Sequence, residues 1–246
     1  MNARFYAPDA RDLDTEVALP QEEAQHLSRV LRLKAGDSLA VFNGKGDEFA
    51  AVVTTVGKAR VTVRLVSQAA ARAELPIALT LAQAVLKGDK MDGVIRDAVM
   101  LGVAAVQPIV TARCEVTLAT LARSGRVDRW HRVAVSSAKQ CGRAVVPVVA
   151  PPVAFDGPAS LAHLPSPHFI LVEPGAATRP GTVEATGDVA PAAATLIVGP
   201  EGGWTAAEVR QCEHHAHPLG VGTLTLRADA AALVAAASLL TRWKLL

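Results

Sequence analysis

The periodicity of apolar residues changes once along this chain, near Pro76, and that change limits the available folds more than any other feature. Before it, segments 39–43 (LAVFN), 48–56 (EFAAVVTTV) and 60–66 (RVTVRLV) alternate or are rich in Val and Thr, which predicts strands. Gly44-Lys45-Gly46-Asp47 between the first two is a hairpin signal. One short helix is expected over 21–31, and Lys34-Ala35-Gly36-Asp37 turns the chain into the first strand. A compact barrel of residues 1–72 fits this order, with 67–76 (SQAAARAELP) as a linker.

After Pro76, strand and helix patterns alternate through residues 76–246. Residues 77–86 (IALTLAQAVL), 103–110 (VAAVQPIV), 169–174 (FILVEP) and 195–200 (TLIVGP) read as strands, with VVPVVA before the last two. A further strand is expected near 222–227. Helices are predicted over 89–101, 126–141, 205–216 and from Asp229 onward. In the first, Met91, Val94, Ile95, Ala98 and Val99 share one face, Asp89 stands at the N-cap and Gly102 at the stop. Residues 175–194, rich in Ala, Gly, Pro and Thr, are expected to form a mobile excursion. Such alternation implies a mainly parallel sheet with helices on both faces.

The chain is 246 residues long, half hydrophobic and 20% charged, which supports a substantial core and argues against disorder. Cys114, Cys141 and Cys212 form no CxxC pair, so a reducing compartment is expected. The first residues carry charges throughout, without the apolar core of a signal peptide, and no apolar run reaches membrane-spanning length. The net charge of +2 is unevenly spread. Arg123, Arg126, Arg129, Arg132, Lys139 and Arg143 face one acid, Asp128, while 181–229 holds six acids and two bases. That asymmetry marks either a polyanion-binding face or a helix with a solvated basic side.

The sharpest chemical feature is LIVGPEGGWTAAE, 196–208. A buried strand runs into Gly199-Pro200-Glu201-Gly202-Gly203 and then a helix, with Thr205 and Glu208 as its capping box. Glycines there let the backbone approach a ligand beyond the carboxyl end of a strand, although a tight turn alone would use the same residues. The run is neither GxGxxG nor GxxxxGK[ST], so no motif supports a dinucleotide or ATP. The second feature, VGTLTLRADAAAL (221–233), places Arg227 at a corner. There it serves either as a ligand for a carboxylate, phosphate or base edge, or as an ordinary surface arginine.

Three other features take the plainer reading. His214, His215 and His217 lie at a helix C-terminus, where imidazolium suits the dipole, and no metal partners stand at ligand spacing. Cys141 and Cys212 read as small buried hydrophobes, and Trp130, on a stripe with Val127 and Ala134, reads as core.

The two stretches, in this order near the C-terminus, resemble the SPOUT class of methyltransferases. More closely, the chain is similar to the 16S rRNA uridine-N3 methyltransferase family known as RsmE. The likeness covers nearly the whole chain: Arg4-Phe5-Tyr6, His26-Leu27, Arg29-Val30-Leu31-Arg32 and Gly36-Asp37, then Lys87-Gly88-Asp89-Lys90-Met91-Asp92 and Leu101-Gly102-Val103. It continues through Gln140-Cys141-Gly142-Arg143 with Pro147, the GPEGG loop, and Leu226-Arg227-Ala228-Asp229.

The resemblance implies a PUA-like β-barrel joined to a SPOUT-type α/β domain whose C-terminal part forms a trefoil knot, an exception to ordinary chain topology. It implies S-adenosylmethionine (SAM) as cofactor, held by Glu173-Pro174-Gly175, by Val198, Gly199, Pro200, Glu201, Gly202 and Gly203, and by Gly222, Leu224, Thr225, Leu226, Arg227 and Ala230. It also implies a cytoplasmic homodimer without metal or membrane, acting on 16S rRNA or the small ribosomal subunit. The last helix suits either that dimer interface or plain core packing. Uridine N3 carries a proton at neutral pH, so a base or a stabilising cation is needed, for which Arg227 (cation) and Glu201 (base) are the candidates. The RNA grip is assigned to Arg4, Arg29, Arg32 and Lys34 with Lys87 and Arg143, acting mainly on phosphates.

The chain departs from the family pattern at Asp97, Met100, Lys139 and Ala230. Met100 and Lys139, standing where glutamates are usual, are expected to be a compensated pair. Three functions remain open: the uridine-N3 methyltransferase, a methyltransferase of the same fold acting on another RNA, and an inactive RNA-binding assembly factor.

Overall fold

The computed structural model describes residues 3–57, 60–174, 181–182, 187–212 and 215–246. In chain order the strands are β1 (Arg4–Tyr6), β2 (Glu16–Ala18), β3 (Ser38–Phe42), β4 (Glu48–Val56), β5 (Val61–Ala69), β6 (Ala78–Ala84), β7 (Ala105–Val110), β8 (Val148–Val149), β9 (Val153–Ala154), β10 (His168–Leu171), β11 (Gly181–Thr182), β12 (Ala193–Val198) and β13 (His217–Gly220). The helices are α1 (Gln21–Gln25), α2 (Lys90–Met100), α3 (Leu118–Arg123), α4 (Arg126–Cys141), α5 (Ala206–Cys212) and α6 (Ala228–Arg242). The chain forms two compact units, Met1–Glu74 with Val135–Val146, and Leu75–Ala134 with Pro147–Leu246.

The first unit is a five-stranded sheet in the order β1-β3-β4-β5-β2. Register shifts in the β4–β5 ladder at Ala50/Ala51 and Val53/Thr55 curl it, because an extra residue on one strand bends the pair. Among the described residues no β1–β2 ladder closes a barrel, so the expected closed form is here a curled sheet. Phe5, Leu27, Leu39, Val41, Phe49, Val63 and Leu65 fill its interior. The β3–β4 turn is held by Asn43, whose Oδ1 accepts the N–H groups of Lys45 (2.8 Å) and Asp47 (3.1 Å). The expected 21–31 helix is α1 continued by a π-helical turn, His26–Val30. The linker expected from Ser67 begins later, since β5 stays paired to Ala69.

Arg4 and Arg143 lie inside this unit. The Arg4 guanidinium pairs with Glu48 at 2.9 Å and donates to the carbonyls of Ala138 (3.1 Å), Lys139 (3.3 Å) and Arg143 (2.8 Å). It thus satisfies the last turn of α4, where cations are favoured. Arg143 is buried and pairs with Glu74. Neither is the surface RNA grip expected of it: the carbonyls of a helix end and a nearby carboxylate claim both guanidiniums. Lys139 pairs with Glu23 (2.7 Å) and lies over the Phe5 ring, while Met100 is exposed. The Lys139 departure is therefore accommodated within this unit, by Glu23 and the Phe5 ring.

The second unit is built on a sheet in the order β11-β13-β10-β12-β6-β7-β8, with β9 also on β7, and every pairing in it is parallel. Strands β6 and β12 are buried along nearly their whole lengths, which is why they read as continuous apolar runs. Between β6 and β7 runs α2, with Met91, Val94, Ile95, Ala98 and Val99 inward. Asp89 occupies its N-cap position without a side-chain cap bond. Gly102 ends the helix at φ +89°, where a side chain would be strained, and a Cβ there would push on Leu75 Cδ1 at 2.6 Å. Helix α3 was not expected; Thr117 caps it by accepting from Thr120 N–H at 3.2 Å.

Helix α6 packs on α2 and β12 through Ala231, Ala232, Ala235, Ala236, Leu239 and Leu240. The strand expected near 222–227 forms instead at His217–Gly220, between β10 and β11. Residues 222–227 are exposed loop, and among the described residues no strand pairs with them. Half of the expected excursion, at 175–180 and 183–186, lies outside the described residues, as does His214.

The basic stretch 123–143 is largely spent internally. Arg126 donates to the carbonyls of Leu86 and Gly88, Arg129 pairs with Asp92, Arg132 donates to Asp128 O, and Lys139 and Arg143 are paired as above. Its charge asymmetry is thus chiefly structural. Trp130 is fully buried, as its stripe predicts. Burial pushes the Cys212 thiol up to about 12, with the Glu208 charge adding to it, which leaves the thiol protonated and inert.

Candidate active site

Strands β13, β10 and β12 are adjacent and parallel, so their carboxyl ends open on one side of the sheet. A cleft of about 840 Å³, counted to its open mouth, lies there, where open parallel sheets bind small molecules. Three loops line it: 171–174 after β10, 198–204 after β12, and 221–231 after β13 into α6. Lys90, the first residue of α2, completes the wall.

Trp204 ties two of these loops together. Its indole N–H donates to Leu171 O at 2.8 Å, and its ring packs on Phe155 with centroids 5.2 Å apart. A Cβ on Gly199 would lie 3.0 Å from the same ring, so glycine lets the 198–204 loop pass the indole. Gly203 has φ +67°, and a Cβ there would meet Glu173 Oε1 at 2.7 Å. The loop then enters α5 through the expected capping box. Thr205 N–H and Oγ1 both donate to Glu208 Oε2 at 2.8 Å, and Glu208 N–H donates to Thr205 Oγ1 at 3.2 Å. The other Glu208 oxygen accepts Ala112 N–H at 2.9 Å, anchoring the segment after β7.

Of the residues expected at the cofactor, Glu173, Pro174, Val198, Gly199, Pro200, Glu201, Gly203, Leu224, Thr225, Leu226 and Arg227 line the cleft. Gly202, Gly222 and Ala230 do not. The Gly202 carbonyl turns to Arg113 (2.9 Å), and Ala230 faces solvent while its neighbours Asp229 and Ala231 line the wall. Gly175 lies outside the described residues. Lys90, Leu171, Val172, Trp204, Val221, Ala228, Asp229 and Ala231 line the cleft without having been singled out. Trp204 and Asp229 sit within or beside the two motifs; Lys90 belongs to the Lys87–Asp92 stretch of the family likeness, but only the fold brings α2 to this wall.

Charge in the cleft is mixed. Glu201 accepts from Lys90 Nζ at 2.9 Å and from Lys87 N–H at 3.2 Å. Burial would push its carboxyl up, but the Lys90 hydrogen bond, the backbone N–H groups and the Lys90 charge outweigh it and hold the group below the usual carboxylate range. A carboxylate so stabilised is a weak base, which argues against the base role expected of Glu201. Arg227 binds Asp229 two residues on through both Nε and Nη2, each at 3.2 Å, and its side chain is 74% exposed. Asp229 is likewise held low: burial opposes this, and the Arg227 hydrogen bond, the backbone and the charges of Arg227 and Lys90 prevail.

SAM suits these residues. It is amphipathic: an adenosine, a cationic sulfonium and a zwitterionic amino-acid end. The cleft offers the exposed apolar side chains Leu224 and Leu226, the carboxylates Glu173, Glu201 and Asp229, and loop backbone brought close by glycine.

Residues 73–240 match the family model of an RNA methyltransferase domain, and 19–66 that of an RNA methyltransferase PUA domain. A ribosomal RNA small subunit methyltransferase E from Synechocystis is 32% identical over 97% of this chain and 77% of its own. The chain belongs to the ribosomal RNA small subunit methyltransferase E family. A member from Neisseria gonorrhoeae, solved with S-adenosyl methionine bound, superposes with a TM-score of 0.87 at 31% identity over 99% of this chain and 98% of that one. A methyltransferase from Legionella pneumophila, also solved with SAM, gives 0.88 at 31% over 98% of each chain. The family thus joins a small curled PUA-like β domain to an α/β methyltransferase domain, the two parts described above.

Among the described residues no helix is long and apolar enough to cross a membrane, and no group of three or more His, Cys, Asp or Glu side chains could hold a metal.

Proposed function

We propose that this chain transfers a methyl group from SAM to N3 of a uridine in 16S ribosomal RNA, in the cytoplasm and as a homodimer. The observation that carries the reading is the cleft at the ends of β13, β10 and β12, in a family whose relatives are named for small-subunit rRNA and whose similar structures hold SAM. Residues 1–72 serve as the RNA-binding domain and 76–246 as the catalytic one. In the latter we infer the trefoil knot of this fold class, which gathers three loops separated in sequence around one ligand.

SAM supplies an activated methyl group on sulfur. The loops 171–174, 198–204 and 221–231 hold and orient it. Glu201 shapes its loop through Lys90 and Lys87 N–H and does not act as the base. Arg227, exposed at the rim, meets the RNA at a phosphate or a base edge. Arg29, Arg32 and Lys34, all exposed, together with Lys87, make the phosphate contacts. The outward side of α6, with the exposed Val234, provides the dimer contact.

Mass mapping of modified bases in 16S rRNA from a deletion strain tests this reading. The expected result is one uridine that loses its N3 methyl group and regains it on complementation. Unchanged 16S rRNA would overturn it, and a lost mark on another RNA would move the activity there. SAM calorimetry separates the remaining alternative, since an inactive assembly factor with a dead cleft would show no binding heat.

A further inference from the structure

We propose that Lys90 is the catalytic cation of this site, its ammonium stabilising the N3-deprotonated uridine as the methyl group arrives; this rests on the uridine-N3 reading above. Among the described residues that line the cleft two are cations, and they differ in placement. Arg227 is at the rim, and both its Nε and its Nη2 are engaged by Asp229. The Lys90 side chain is one-third exposed and lines the cleft from the start of α2, an element separate from the three cofactor loops, with its Nζ against Glu201 of the second.

Its position is set at both ends. The backbone of Lys90 belongs to the first turn of α2, and its Nζ is held 2.9 Å from Glu201 Oε1, while Glu201 is itself fixed by Lys87 N–H. An ammonium has three donors, and Glu201 takes one. The charged groups around it are Glu201, Asp229, Glu173 and Arg227 from the facing loops, and Asp89 and Asp92 near its own helix start, the last engaged by Arg129. Glu201 is in this reading a positioning residue, which explains why its carboxylate is kept charged.

The chemistry requires such a group. The N3 proton leaves to water, the electron pair on N3 takes the methyl carbon, and the pair of the broken carbon–sulfur bond stays on sulfur. The charge left on deprotonated uracil is shared with O2 and O4. A fixed ammonium that donates to one of these oxygens lowers the barrier by stabilising that charge where it develops.

Single-turnover methylation by Lys90→Met, a neutral residue of similar length, tests this on small subunits reconstituted with ordinary or 5-fluorouridine-substituted 16S rRNA. Fluorine acidifies N3–H, so the second substrate needs less help. The expected result is a loss of about 10²-fold on the ordinary rRNA at neutral pH, as for removal of one transition-state donor. That loss should shrink at higher pH and on the fluorinated rRNA, and Lys90→Arg should restore part of the rate. SAM affinity by calorimetry should stay close to wild type. A loss equal on both substrates and at every pH, or a SAM affinity falling in step with the rate, would overturn the proposal. Should Lys90→Met not fold, Lys90→Gln carries the same comparison. If wild-type enzyme forms no N3-methyluridine, the uridine reading fails first and Lys90 loses its substrate.

Discussion

The indole N–H of Trp204 donates to the carbonyl of Leu171 at 2.8 Å, joining the loop after β12 to the end of β10 by a single side chain. Trp204→Phe keeps most of the packing against Phe155 and leaves that carbonyl unpaired in a partly buried place. The expected cost is about 1–2 kcal/mol of stability. SAM affinity should fall with it, because two cofactor loops lose their common tie. Denaturant unfolding and calorimetry read the two effects; unchanged values in both would remove Trp204 from the frame of the cleft.

Gly203 is the most constrained backbone position of the site, with positive φ and the Glu173 carboxylate where a Cβ would stand. Gly203→Ala should cost about 1–2 kcal/mol for the left-handed conformation alone and displace Glu173 into the cleft. SAM binding should weaken strongly while α2 and α6, distant in sequence, keep their helicity. A variant that binds SAM normally would show that the loop relaxes freely.

Glu208 is buried, accepts three hydrogen bonds from Thr205 and Ala112, and so holds both α5 and the segment after β7. Glu208→Ala should destabilise by about 2–3 kcal/mol, more than the roughly 1 kcal/mol expected for Thr205→Ala, because it also strands Ala112 N–H. Equal losses in the two variants, measured by urea unfolding, would mean that the Ala112 bond contributes nothing.

The Glu201 carboxyl lies below its ordinary value of 4.5 in the folded chain. Its contribution to stability is therefore complete above that value and is lost as pH falls through the lower folded one. Glu201→Gln should flatten the acid limb of the stability curve below about pH 4.5 and leave its slope near neutrality unchanged. Urea midpoints from pH 7 to pH 3 provide the comparison, and an unaltered acid limb would show that Lys90 does not hold the carboxylate in solution.

Arg29, Arg32 and Lys34 are exposed on one short stretch of the small unit. Replacing all three with Ala should weaken rRNA binding and make the slope of log K against log salt shallower by roughly 2. Arg4→Ala should act differently. It uncovers the carbonyls of Ala138, Lys139 and Arg143 and leaves Glu48 unpaired, so it should lower the melting temperature first. A shallower salt slope without loss of stability in Arg4→Ala would return that residue to the RNA interface.

Local chemistry was legible wherever neighbours in sequence are also neighbours in space. The capping box at Thr205 and Glu208, the helix faces of α2 and α4, the Asn43 to Asp47 turn and the glycine run beside Glu201 follow from short-range sterics and hydrogen bonding. The strand misplaced at 222–227 shows the limit: Val, Thr and Leu favour extended chain, but a strand exists only where another offers its hydrogen bonds, and β10 and β11 offer theirs to 217–220. Charge was misread for the same reason. Arg4, Arg143 and most of the basic stretch looked like a surface for polyanions until tertiary packing supplied carboxylates and helix-end carbonyls to pair with them. The sequence alone thus determined the two-part organisation, the glycine-lined loops and the family. Only the tertiary structure decided that β13, β10 and β12 end side by side and that Lys90 meets Glu201 across more than a hundred residues, because long-range contacts depend on how the sheet is ordered and not on any local preference.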